Sequence, residues 1–147
     1  MNMLRTVIKG IAAALKSDRD IPILLDEAKD DVPYPCWRIA LVDDVQGDRL
    51  VGRLHERTAY FDVMLITSSR GEVKDVRTEM LDVGTALFAA LEFISADGVT
   101  LRGEDMHYRV TDGILHFLVT YTWHELETVD DNTMQTLTVN GGVKDGD

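Results

Sequence analysis

Apolar and polar positions alternate on both sides of Asp112-Gly113 in the stretch Val99–Glu125, VTLRGEDMHYRVTDGILHFLVTYTWHE. A two-residue hairpin turn needs positive φ, and Asp-Gly is among the pairs that supply it. With these two residues as the turn, Val110 faces Leu115, Tyr108 faces Phe117 and Met106 faces Val119, each an apolar pair. Leu115, Phe117, Val119, Tyr121 and Trp123 then share one face of the second strand, and His116, Thr120, Thr122 and His124 share the other. This is a half-buried antiparallel ribbon that needs something packed on its aromatic side.

Upstream, Leu4, Val7, Ile8, Ile11 and Leu15 mark one stripe of an amphipathic helix over Met3–Lys16. Ile21–Leu25 reads as a short strand that Pro22 confines to a sheet edge or a strand start. Asp26–Asp31 reads as a solvated acidic loop, and Val32-Pro33-Tyr34-Pro35 as a rigid extended segment. Trp37, Ile39 and Leu41 alternate as a strand, Asp43–Asp48 reads as a turn, and Leu50–Thr67 as one long, bulged strand. The first part of that strand is polar (Arg53, His55, Glu56, Arg57), so with its predecessor it is expected to leave the core as a hairpin arm over Val42–Arg57. Ser69-Arg70-Gly71-Glu72 has capping-box spacing. Val73, Val76, Met80, Val83, Leu87, Leu91 and Ile94 keep helical period behind it, and Ser95-Ala96-Asp97-Gly98 is expected to close that helix. Gly84 inside it costs about 1 kcal/mol relative to alanine, which suggests a close approach of the helix to a neighbour.

After Glu127 the periodicity fails, and residues 125–147 hold six acids and one lysine. Residues 1–127 are therefore expected to form a single domain, with 128–147 as a flexible acidic tail whose Met134–Val139 segment orders against a partner, if at all. Helix, strands, helix and terminal ribbon in that order predict an α+β fold: a mostly antiparallel sheet with two amphipathic helices packed on one face.

Composition narrows what such a domain does. A net charge of -11 disfavours a nucleic-acid-binding or membrane-docking surface, which needs a basic patch, but suits a surface that DNA passes without sticking. The N-terminus has helical spacing and Asp18 and Asp20 where a cleavage site would fall, so it reads as mature structure. The single cysteine, Cys36, excludes an internal disulfide, suits a reducing cytoplasm and is expected to be buried. His107 and His116 are diagonal neighbours on the polar face of the ribbon, yet no cysteine joins them, and the nearest carboxylates in sequence are Glu104 and Asp105. Solvent-facing or interface histidines are the expectation, with no catalytic, metal or cofactor site.

Several segments together resemble the tail terminators of long-tailed phages and prophages of Gram-positive hosts. The resemblance lies in LRTVIKGIAAALK, PYPCWRIAL, YFDVMLI, MLDVGTALFAALEFI and, most sharply, LRGEDMHYRVTDGILHFLVTYTWH, and it spans Met3–Glu127. It implies a non-enzymatic virion protein, assembled in the host cytoplasm, at the upper end of the tail. Such a protein forms a ring, commonly hexameric, on the last tube ring, stops tube polymerisation and presents the surface for head attachment. Its partners would be its own copies, the tail tube protein and the head-tail connector proteins, with DNA only as passing cargo. From pattern alone, Asp43, Asp44, Asp48, Arg49, Arg53 and Arg57 on the arm are the expected contacts with other copies or the tube. A head-tail connector or stopper, and a small ligand-binding or regulatory module, remain as alternatives.

Overall fold

Two thirteen-residue strands form the spine of the computed structural model, which describes residues 2–25, 33–42, 45–67 and 76–126. In chain order the elements are α1 (Met3–Asp18), β1 (Ile23–Leu25), β2 (Cys36–Leu41), β3 (Gln46–Val51), β4 (Leu54–Ile66), α2 (Val76–Glu92), β5 (Phe93–Ala96), β6 (Val99–Arg102), β7 (Glu104–Thr111) and β8 (Ile114–Leu126). The spine is β4 against β8, antiparallel over their whole length from Leu54↔Leu126 to Ile66↔Ile114. The main sheet runs β1-β2-β4-β8-β7, and β3 pairs with β4 beyond the end of β2. Among the described strands only β1 is parallel to its neighbour. The fold is α+β with a mostly antiparallel sheet.

The expected alternation decides which face is covered. Trp37, Ile39, Phe61, Val63, Leu65, Leu115, Phe117, Val119 and Tyr121 are all buried on one face. Val7, Ile11 and Leu15 from α1 and Met80, Val83, Leu87 and Leu91 from α2 join them in a single core. Asn2 caps α1, its side-chain oxygen accepting from the Leu4 and Arg5 amides. Gly84 lets α2 lie directly on the ribbon, since a Cβ there would stand 2.5 Å from the Tyr108 ring. Phe88, Phe117 and Tyr108 interlock just beside it, with ring centroids 5.1–6.3 Å apart. The Tyr121 hydroxyl donates to the Leu91 carbonyl at 2.7 Å, and burial pushes that phenol well above its ordinary range.

Several expectations shift. Leu50–Thr67 is not one strand: Gly52-Arg53 is a two-residue turn, Gly52 taking φ +58°, between β3 and β4. Gln46–Asp48, expected in a turn, belong to β3. The second helix stops at Glu92 and passes directly into β5, so Ile94 packs as a strand residue, buried at 3% exposure. Asp97-Gly98 does not close a helix; it is a second hairpin turn, with φ +52° and +78° like the +54° and +74° of Asp112-Gly113. The small β5–β6 sheet it makes is pinned to α1 by Lys9 and Thr6, whose side chains bond Asp97 at 2.8 and 3.0 Å. The ribbon keeps its expected register through Tyr108↔Phe117, then slips between His107 and Glu104, where Asp105 takes φ +51°, so Met106 no longer stands squarely opposite Val119. Gly103, expected in a turn, is buried where β6 meets β7 and donates to the Glu92 carbonyl. The chain bends at Tyr34-Pro35, whose peptide bond is cis, instead of running straight. The acidic loop, the capping box and the C-terminal tail lie outside the described residues. Among the described residues no helix is long and apolar enough to cross a membrane.

Candidate functional site

β2 and β3 occupy the same edge of β4 in succession, β2 along Phe61–Ile66 and β3 along Leu54–Thr58. Past Thr58 the sheet therefore narrows to β3, the start of β4 and the end of β8, which together make an arm. Thr58 and Thr122 touch through their hydroxyls at its base, 3.2 Å apart. On the face continuous with the core, Arg57 lies 3.6 Å from Glu125, which also accepts a 2.7 Å bond from the Trp123 indole. Register places Arg49 beside His55 on this face, and the Arg49 guanidinium donates to the Gly52 carbonyl across the turn. On the opposite face Asp48 pairs in register with Glu56, whose carboxylate lies 3.5 Å from His124.

The expected contact residues are thus not one cluster. Arg57 supports the arm from inside, Asp48 and Arg49 point to opposite faces, and Arg53 is exposed in the turn. Asp43 and Asp44 lie outside the described residues. Sequence reasoning passed over the apolar residues of the tip. A bulge in β3 between Arg49 and Val51 brings Val51 into one row with Leu54 and Leu126. Val51 is 77% exposed, Leu126 69% and Leu50 45%. The signal was the dipeptide Leu50-Val51 just before a glycine, hidden by reading straight through the turn.

The face of the main sheet away from the two helices holds His107, His116 and His124. His116 bonds Asp62 at 2.9 Å, both side chains about one-fifth exposed, so its carboxylate partner comes from the neighbouring strand and not from Glu104 or Asp105. His107 lies one row away on β7. Among the described residues no three histidine, cysteine, aspartate or glutamate side chains are grouped to hold a metal ion. Cys36 is fully buried; burial raises its thiol pKa, against the lowering effect of the Arg38 charge. On the same face, where the bulge of β7 leaves the sheet, a cleft of about 390 Å³ is floored by Tyr60, Leu118 and Thr120. Val42 and Asp105 stand at its rim. Val42 prolongs β2 by one bond, its amide donating to the Tyr60 carbonyl at 2.8 Å.

Comparison with known proteins adds one finding. A family model described as phage tail terminator protein matches residues 6–133, which takes in the main sheet, the small sheet and both helices. No curated protein matches the chain.

Proposed function

The chain belongs to the phage tail terminator family, a family of structural phage proteins of the virion tail, and we propose that it caps the upper end of the tail tube. In that position it stops tube polymerisation and offers the surface to which the filled head attaches. The observation that carries this reading is the span of the family match, which runs through the whole described fold apart from the first turn of α1. Its partners are accordingly tail and head components, and we propose that it meets them as a closed, hexameric ring of its own copies.

Two features support this reading. A closed ring needs two different complementary surfaces on each copy, joined head to tail. The arm supplies one, since its tip leaves Val51 and Leu126 largely in water, where burial against a neighbour would gain the free energy of removing apolar area from solvent. The net charge of -11 supports the passage of DNA, because an acidic lumen repels the phosphate backbone.

The test is genetic. A phage lacking this protein is expected to make abnormally long tail tubes and unattached heads, seen by negative-stain microscopy. Tails of normal length joined to heads would refute the capping role. Gold labelling of the chain at the tube–head junction separates a terminator, which stays on purified tails, from a connector, which stays with heads.

A further inference from the structure

We propose that the tip of the arm seats in the sheet-face cleft of the next copy, so that the row Val51–Leu54–Leu126 fills a space floored by Tyr60 and Leu118. This rests on the ring reading above and names the two surfaces that would build it.

The β3 edge of the arm is unsuited to adding a strand: it carries Asp48 and Arg49 and is broken by a bulge, both of which discourage edge-to-edge pairing. What the tip offers is side chains, with Val51 and Leu126 of the row largely exposed and Leu54 between them half-buried. The cleft offers the matching concavity: about 390 Å³, with an aromatic and a leucine in its floor and Val42 half exposed at its rim. Charge agrees with shape. Arg53 is exposed in the turn at the tip, while the exposed Asp105 lines the cleft and the exposed Glu104 pairs in register with Thr120 of its floor. Opposite charges around an apolar centre orient the docking and speed encounter.

The arm's tip cannot reach the cleft of its own chain. Leu54 and Tyr60 lie on one continuous strand, six residues or roughly 20 Å apart, and β8 backs that strand throughout. The occupant must be a second molecule. Long strands twist along their length, and a bulge adds to the twist, so tip and cleft do not lie in one plane. That offset favours a chain of contacts over reciprocal pairing of two copies.

Val51→Cys and Val42→Cys place thiols on exposed positions at tip and rim, and the buried Cys36 leaves the native thiol silent to solvent reagents. A short bis-maleimide linker applied to an equal mixture of the two single variants is expected to give dimers. Each variant alone is expected to give none, and the double variant a ladder extending past dimer. Self-linking of Val51→Cys, a ladder that halts at dimer, or no link at the highest soluble concentration overturns the contact. Arg53→Glu is expected to lower the yield of the mixed link by roughly two- to fivefold, and Asp105→Lys to restore it, since exposed ion pairs are worth only a few tenths to about 1 kcal/mol. Light scattering on the wild-type chain keeps the two readings apart. A ring without the mixed link sinks the contact and spares the ring, whereas the mixed link with normal tails in the deletion phage sinks the capping role and spares the contact.

Discussion

At the scale of single residues, Phe117 and Gly84 show how tightly the ribbon and α2 are fitted. Phe117 is fully buried and touches both Phe88 and Tyr108. Phe117→Ala is expected to cost about 3–5 kcal/mol in denaturant unfolding; a near-neutral result would place the aromatic face wrongly. At Gly84 two effects oppose each other. Alanine has the better helix propensity by roughly 1 kcal/mol, yet its Cβ would meet the Tyr108 ring at 2.5 Å. That ring is held by its hydroxyl, 2.9 Å from Thr85 and 3.3 Å from the Leu81 carbonyl, and so cannot swing aside freely. Gly84→Ala is therefore expected to lower stability by about 1–3 kcal/mol, as overpacking does. A rise in stability would mean that the helix stands further off the sheet. The spacing of Gly84 hinted at a close approach, but nothing in the local sequence named Tyr108 as the neighbour.

At the scale of elements, the two Asp-Gly turns carry the same chemistry and met different readings. Asp112-Gly113 was legible because alternating residues flank it on both sides. Asp97-Gly98 follows a long helical stripe, and Ile94 continues that stripe in phase, so local period predicts a helix running to Ile94. Tertiary pairing of Phe93–Ala96 with Val99–Arg102 overrides the local period. The Asp97 carboxylate then works twice, in the turn and as the anchor to α1. The hydrogen bond from Lys9, followed by that from Thr6, holds its pKa below the usual carboxylate value. A carboxylate whose folded-state pKa is depressed adds stability above its unfolded pKa, and this is lost as pH falls through the folded value. The window lies below pH about 4. Asp97→Asn, which keeps a residue tolerant of positive φ, is expected to flatten the acid limb of the stability profile below that pH. An unchanged limb would show that the anchor carries no linkage.

At the scale of the whole molecule, one core within residues 3–123 joins both helices to both sheets. We propose that this domain folds without residues 128–147: deletion after Glu127 is expected to leave the melt cooperative and its midpoint little changed. Loss of cooperativity would mean that the tail is part of the folding unit. The arm is the opposite case: among its described residues only Trp123 belongs to the buried core, and its tip offers its surface outward.

Period and turn chemistry alone were enough for the α+β class, the first helix, the final hairpin and the buried face of the sheet. Each of these is decided by residues close in sequence, and a strand's buried face follows from its alternation of side chains. The order of strands, the pairing of His116 with Asp62 and the split of Leu50–Thr67 into two strands were decided only by tertiary structure. They depend on which distant strand lies alongside, and no local pattern encodes that. The apolar tip belongs with them. Val51, Leu54 and Leu126 become one row only when a bulge and a strand from the far end of the chain bring them into register.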